Sequence, residues 1–124
     1  MKISDLQPAR YIALETFRKN GQGVITPVWL VVEGEKLYVW TKADSGKVKR
    51  IGHTPRVRLC ESDYRGTPRG AWLEAQARIL DSPEADQAQR QRLAHKYGWQ
   101  FRLIDLFRGR LKEWRFVVLE MICQ

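Results

Sequence analysis

Val24-Ile25-Thr26-Pro27-Val28-Trp29-Leu30-Val31-Val32, followed by Glu33-Gly34-Glu35 and then Leu37-Tyr38-Val39-Trp40-Thr41, is the stretch whose reading decides the fold. Residues 24 to 32 are rich in Val, Ile and Trp and read as one long strand. Pro27 lies inside it, which calls for an edge, a bulge or a bend. Glu33-Gly34-Glu35 is a turn, and Leu37 to Thr41 is the next strand. Working outward toward the N-terminus, Tyr11 to Phe17 is a third run of β-formers. It is joined to the first by Arg18-Lys19-Asn20-Gly21, where Asn-Gly signals a hairpin. Gly21-Gln22-Gly23 belongs to that turn. Residues 1 to 9 read as a short lead-in turn or helix ending near Pro8.

Toward the C-terminus, Ser45 is placed to cap a short helix through about His53, which Thr54-Pro55 ends. Val57 to Asp63 and Ala71 to Leu80 alternate as strands, with the turn cluster Arg65 to Gly70 between them. The face Ala71, Leu73, Ala75, Ala77, Ile79 predicts close packing against another layer. Ser82-Pro83-Glu84 opens a helix that runs to about Tyr97 and stops at Gly98. A second helix is expected over Gln100 to Phe107, and a last strand over Trp114 to Ile122. Six strands in a small α+β chain, mainly β, predict a barrel or a strongly curled sheet.

The chain has 124 residues, one domain's worth, and is taken as a single domain over 1–124. Its longest apolar run, Val28 to Val32, is far short of a membrane span. The N-terminus carries no signal-peptide pattern, so a cytoplasmic location and no membrane partner are expected. Cys60 and Cys123 are expected as reduced thiols. With no CxxC and no HExxH, no metal site is expected.

The net charge is +8, and it is concentrated. Residues 42 to 58 carry a net +5, from Lys42, Lys47, Lys49, Arg50, Arg56 and Arg58 against Asp44. Residues 100 to 115 carry a net +3, from Arg102, Arg108, Arg110, Lys112 and Arg115 against Asp105 and Glu113. The rest cancels. Two local excesses point to an anionic partner: a phosphorylated cofactor, an acidic substrate or nucleic acid.

Gly46-Lys47 at a helix start is the leading anion site. Free backbone N–H groups and the positive helix end face outward there, with Lys47 and Arg50 one turn apart on the same side. The pattern is half of a P-loop. Thr41 stands where the first Gly belongs and Val48 where Ser or Thr belongs, which argues against triphosphate hydrolysis. Of the Trp residues 29, 40, 72, 99 and 114, each is expected in a core or an interface, and any could stack on a flat ring. His53 and His95 have no evident Ser or Asp partner, so no catalytic dyad is read. Glu61 and Asp63 are expected in salt bridges, and Cys60 is expected to be buried and inert. No RNA-binding aromatic signature is present, and nucleic acid is not the expected partner.

Thr26-Pro27-Val28-Trp29, Leu37-Tyr38-Val39-Trp40-Thr41, Ser45-Gly46-Lys47-Val48-Lys49-Arg50 and Pro55-Arg56-Val57-Arg58-Leu59, in this order and spacing, resemble the pyridoxamine-phosphate-oxidase-like group. More narrowly they resemble its branch of coenzyme F420-dependent enzymes. Gly66 to Gly70, Trp72-Leu73-Glu74, Ala77-Arg78 and Lys96-Tyr97-Gly98-Trp99 extend the likeness over about residues 9 to 120. The resemblance implies a six-stranded split β-barrel with short peripheral helices and a homodimer with cofactor sites at the subunit interface. It implies FMN or F420 as cofactor, and hydride transfer to a small conjugated acceptor. Carried over, Thr41, Ser45, Gly46 and Lys47, assisted by Lys49 or Arg50, would hold the cofactor phosphate at the end of the third strand, and Trp40 beside them would also touch the cofactor. Ile25, Thr26, Pro27 and Val28 would lie along the ring, and Trp72 and the Lys96 to Trp99 region would come from the partner subunit. No residue is assigned as catalytic. Gly23-Val24-Ile25 lacks the basic residue of the oxidases proper, and Leu119 to Gln124 lacks their substrate-binding Arg motif. The balance therefore leans to F420 and away from pyridoxamine phosphate as substrate. The alternative is a split-barrel module that binds a cofactor or tetrapyrrole without turnover.

Overall fold

Tyr11–Phe17 (β1) and Gly23–Val28 (β2) form the expected hairpin in a computed structural model, which describes residues 2–110 and 115–123, side chains of 108–110 excepted. Gly21 makes the turn with φ +88°, and the Asn20 side chain accepts from Gln22 N–H at 2.9 Å. A 3-10 turn at Ile3–Leu6 precedes the hairpin. Val31–Glu33 (β3) and Lys36–Lys42 (β4) follow, then helix Gly46–His53 (α1) and strands Arg56–Ser62 (β5) and Leu73–Leu80 (β6). Helices Pro83–Tyr97 (α2) and Trp99–Arg110 (α3) lead to the last strand, Phe116–Cys123 (β7). Trp114, expected to open that strand, lies outside the described residues, as do Lys112 and Glu113.

The seven strands form one antiparallel sheet in the order β2-β1-β5-β6-β7-β4-β3. One strand more than expected arises because the run Val24 to Val32 does not stay with one neighbour. Residues up to Val28 pair with β1, and residues from Val31 pair with β4. Consecutive strands therefore stand at opposite ends of the sheet, with only Trp29 and Leu30 between them. A flat sheet of seven strands would part its edges by roughly 29 Å. The chain from Val28 to Val31 reaches at most about 11 Å. The sheet must curl until its edges meet, and the result is a split barrel.

Alternation places Ile12, Leu14, Leu37, Val39, Val57, Leu59, Leu119 and Met121 inside the curl, all fully buried. Helix α1 closes one end through Ile51 and Val48. The small buried Ala75 and Ala77 sit in the strand that α1 meets, in keeping with the close packing expected of that face. A second apolar cluster lies outside the barrel, where Leu93, Tyr97 and Phe101 of α2 and α3 pack on Val31, Trp29 and Trp40. No helix among the described residues is long and apolar enough to cross a membrane.

Candidate functional site

The β4–α1 connection is built by Ser45. Its hydroxyl oxygen accepts from Val48 N–H at 3.4 Å and from the Thr41 hydroxyl at 3.4 Å. Thr41 is buried, so this pair fixes the strand end against the helix start. The N–H groups of Gly46 and Lys47 belong to the first helical turn and have no carbonyl behind them to bond. Arg50 folds back over this turn. Its Nε donates to Thr16 Oγ1 at 2.6 Å, and a Cβ on Gly46 would fall 2.7 Å from an Arg50 terminal nitrogen. Only glycine at 46 leaves the guanidinium where it is. Burial, and then the neighbouring Arg50 charge, lowers the Lys47 pKa below the usual lysine value. Among the described residues Lys47 has no hydrogen-bond or ion-pair partner.

Lys47 and Thr41 form one end of a pocket of about 270 Å³. Pro27 and Val28 form one wall, and Trp29, Trp40, Phe101 and Phe116 give it an aromatic lining. The rings are held from behind. Trp40 Nε1 donates to Asp86 Oδ1 of α2 at 2.7 Å, and its ring stacks on Phe116 at 4.3 Å. Trp29 stacks on Tyr97 at 4.1 Å with nearly parallel planes. Thr26, one residue before the wall, has a buried hydroxyl with no hydrogen-bond partner among the described residues, and it does not line the pocket. A flat ring with a phosphate tail suits this arrangement. The aromatic slot matches the ring, and the helix start with its half-buried cation matches a phosphate.

Lys96 and Tyr97 hold the crossover between the sheet edges. Leu30 belongs to no strand, and its N–H donates to the Tyr97 hydroxyl oxygen at 3.1 Å. That hydroxyl has one proton to share between Arg10 O at 2.8 Å and Leu30 O at 3.1 Å. Lys96 Nζ donates to Ala9 O at 2.7 Å and Leu30 O at 2.9 Å. Burial, with Arg10 nearby, still lowers the ammonium pKa to about 8, and burial raises the Tyr97 phenol to about 12.

Of the residues expected at the cofactor, Pro27, Val28, Trp40, Thr41 and Lys47 line this pocket. Ser45, Gly46 and Arg50 support its cationic end. Ile25 and Lys49 are exposed and do not line it. Trp72 stands elsewhere, with the Arg58 guanidinium 4.7 Å above its ring. Asp63, expected in a salt bridge, instead accepts from Arg65 and Thr67 N–H in a turn. Cys60 is fully buried. The sequence reading missed the α2–α3 side of the pocket. Leu93, Tyr97, Phe101 and Ile104 continue one helical spacing across Gly98, and that periodicity was the available signal. A larger cavity, about 630 Å³, runs beside α2 and is lined by Val31, Val32, Arg92, His95 and Lys96 among others. Arg92 is committed there to Glu33 and Lys96 to carbonyls, so its size alone does not make it the site.

Curled sheet, capped helix at one end and aromatic slot beside the crossover together define a split-barrel protein. A family model described as pyridoxamine 5'-phosphate oxidase matches residues 4–119, and the chain belongs to that family. No curated protein matches it. Among solved structures it is similar to a conserved hypothetical protein of Mycobacterium tuberculosis, at 22% identity and TM-score 0.68, covering 100% of this chain and 81% of that one. It is similar to an F420 reductase at 18% identity and TM-score 0.64, over 99% of this chain and 93% of that one. It is also similar to HutZ, the heme storage protein from Vibrio cholerae, at 12% identity and TM-score 0.70, over 100% and 92% of the two chains. At these identities the likenesses establish the fold.

Proposed function

We propose that this chain is a flavin- or deazaflavin-dependent oxidoreductase that binds FMN or coenzyme F420 and works as a homodimer. The observation that carries the reading is Lys47: a half-buried cation without a partner among the described residues, at the start of a capped helix and at the end of an aromatic slot. Burying a cation without compensation costs free energy, and an arriving phosphate supplies it. In this reading Lys47, Arg50 and the first N–H groups of α1 hold the phosphate. Pro27, Val28 and the Trp29 and Trp40 rings orient the ring system and exclude water from it. Bound there, the cofactor would supply hydride chemistry toward a small conjugated acceptor.

A module that only holds a tetrapyrrole is the competing reading, and the flat aromatic slot is compatible with it. Among the described residues that line the slot there is no His, Cys or Met to ligate an iron, which favours the flavin. Titration of the purified chain with FMN, F420 and heme, followed by fluorescence or absorbance, separates the readings. Saturable binding of FMN or F420 that weakens in Lys47→Ala supports the proposal. Binding of heme alone replaces it with the module.

A further inference from the structure

The cavity of about 630 Å³ beside α2 shares no lining residue with the aromatic slot. Leu30 separates the two: Trp29 before it lines the slot, and Val31 after it lines this cavity. Ala88, Gln91, Arg92 and His95 follow the i, i+3, i+4, i+7 spacing of one helical face, so α2 turns a whole face to the cavity. Val31, Val32 and Ala88 make one side of it apolar. An apolar wall with a few polar groups opposite is the usual make-up of a small-molecule site.

The charges around this cavity do not cancel. Arg92 is matched by Glu33, to which its Nε donates at 3.1 Å, and its Nη1 donates to Gln89 Oε1 at 3.1 Å. Lys96 has no ion-pair partner among the described residues. Two carbonyls take two of its three N–H bonds, and the Tyr97 ring lies 5.3 Å from Nζ. The third N–H has no acceptor among the described residues. Burial, and then Arg10, holds the Lys96 pKa at about 8, so the carbonyls meet its hydrogen bonds without fully offsetting its charge.

One unmatched positive charge suits one anionic group, and the apolar side suits a hydrocarbon body. A dianion would need a second free cation, and Glu33 already occupies Arg92. We propose that this cavity binds a small monocarboxylate with an apolar body, its carboxylate on the Lys96 ammonium and Gln91 and His95 at the rim. Lys96 keeps its hold on the crossover through the other two N–H bonds. The site is separate from the slot and does not rest on the function proposed above.

The test is calorimetric titration of the full chain with benzoate, beside benzamide and inorganic phosphate. Saturable binding of benzoate is expected, with the other two about tenfold weaker or more. Gln91→Lys should strengthen benzoate binding several-fold, and Gln91→Glu should weaken it as much. Gln91 is exposed, so both variants should keep the melting curve of the parent chain, and this pair carries the test if Lys96→Met does not fold. A folded Lys96→Met should lose about tenfold or more. Raising the pH from about 7.5 to 9.5 should do the same in the parent chain, as Lys96 gives up its proton. Around Lys96 stand Arg10 before β1, Glu33 on β3, and Arg92, His95 and Tyr97 on α2. Arginine and glutamate keep one charge state across that window, and Tyr97 titrates above it at about 12. Binding through Arg92 would therefore give a flat profile, and His95→Gln should leave the fall in place. Lys47→Ala should leave benzoate binding unchanged, since Lys47 belongs to the slot. No saturable binding, equal binding of benzamide, no response to the Gln91 pair, a flat pH profile, or a loss in Lys47→Ala each overturns the proposal.

Discussion

Lys47 and Lys96 are both half-buried lysines whose ammonium pKa burial depresses, and they line two different cavities. Lys96 is met by two backbone carbonyls, Ala9 O and Leu30 O, and beside it Tyr97 meets the remaining groups of the crossover. Lys47 meets nothing among the described residues. The contrast separates two uses of one residue type. A cation compensated inside the chain holds the fold together. A cation left uncompensated beside an open slot is kept ready for something from outside.

The comparison is tested hardest at Tyr97. Tyr97→Ala removes the ring stacked on Trp29 and the hydroxyl that serves Leu30, and should cost about 3–5 kcal/mol of stability in urea unfolding. A loss below about 1 kcal/mol would mean that the crossover is held by something else. Next, Lys47→Ala should weaken FMN or F420 binding by about 1.5–3 kcal/mol, roughly ten- to 150-fold, while leaving stability unchanged. Unchanged affinity, or a destabilised fold, would erase the distinction between the two lysines.

Stability against pH gives a smaller signal with a defined sign. The Lys96 pKa falls from 10.5 to about 8 on folding, so between those values the unfolded chain holds more proton. The contribution of this group to stability therefore rises with pH across that window. The Tyr97 pKa rises from 10.0 to about 12, so its contribution is full below 10 and is lost as pH climbs toward 12. Unfolding free energies from pH 7 to 11 should show the rise flattened in Lys96→Met and the later fall flattened in Tyr97→Phe. The smallest effect is expected of Gly46→Ala. Its Cβ meets only the terminal guanidinium of Arg50, so stability should change little while cofactor affinity drops by about 1 kcal/mol or less. A larger drop would make Arg50 an equal of Lys47.

Most of the fold was legible because local rules decided it. Ser45 and Ser82 cap helices where expected, and Asn20-Gly21 turns the hairpin, because these are effects of a residue on its neighbours within four positions. The β2–β3 break was not legible. Val24 to Val32 has strand composition throughout, and what divides it is Tyr97, 67 residues away from Leu30, supplying the bonds that a strand partner would have supplied. The cationic end of the site was readable for the same reason as the caps. The aromatic wall was not, because it gathers Trp29, Trp40, Phe101 and Phe116 from four separate segments. Trp29 and Trp40 were noted as rings that could stack. Only the curl brings them together.

That curl also settles where the molecule is vulnerable. An open sheet has two edges, each with a row of unpaired backbone groups that can recruit a foreign strand. Here β2 and β3 are those edges, joined to each other by a two-residue link. Pro27 stands on the β2 side of it with no N–H to offer, and β3 is only three residues long. Each edge is thus blunted in its own way, β2 by a proline and β3 by its shortness.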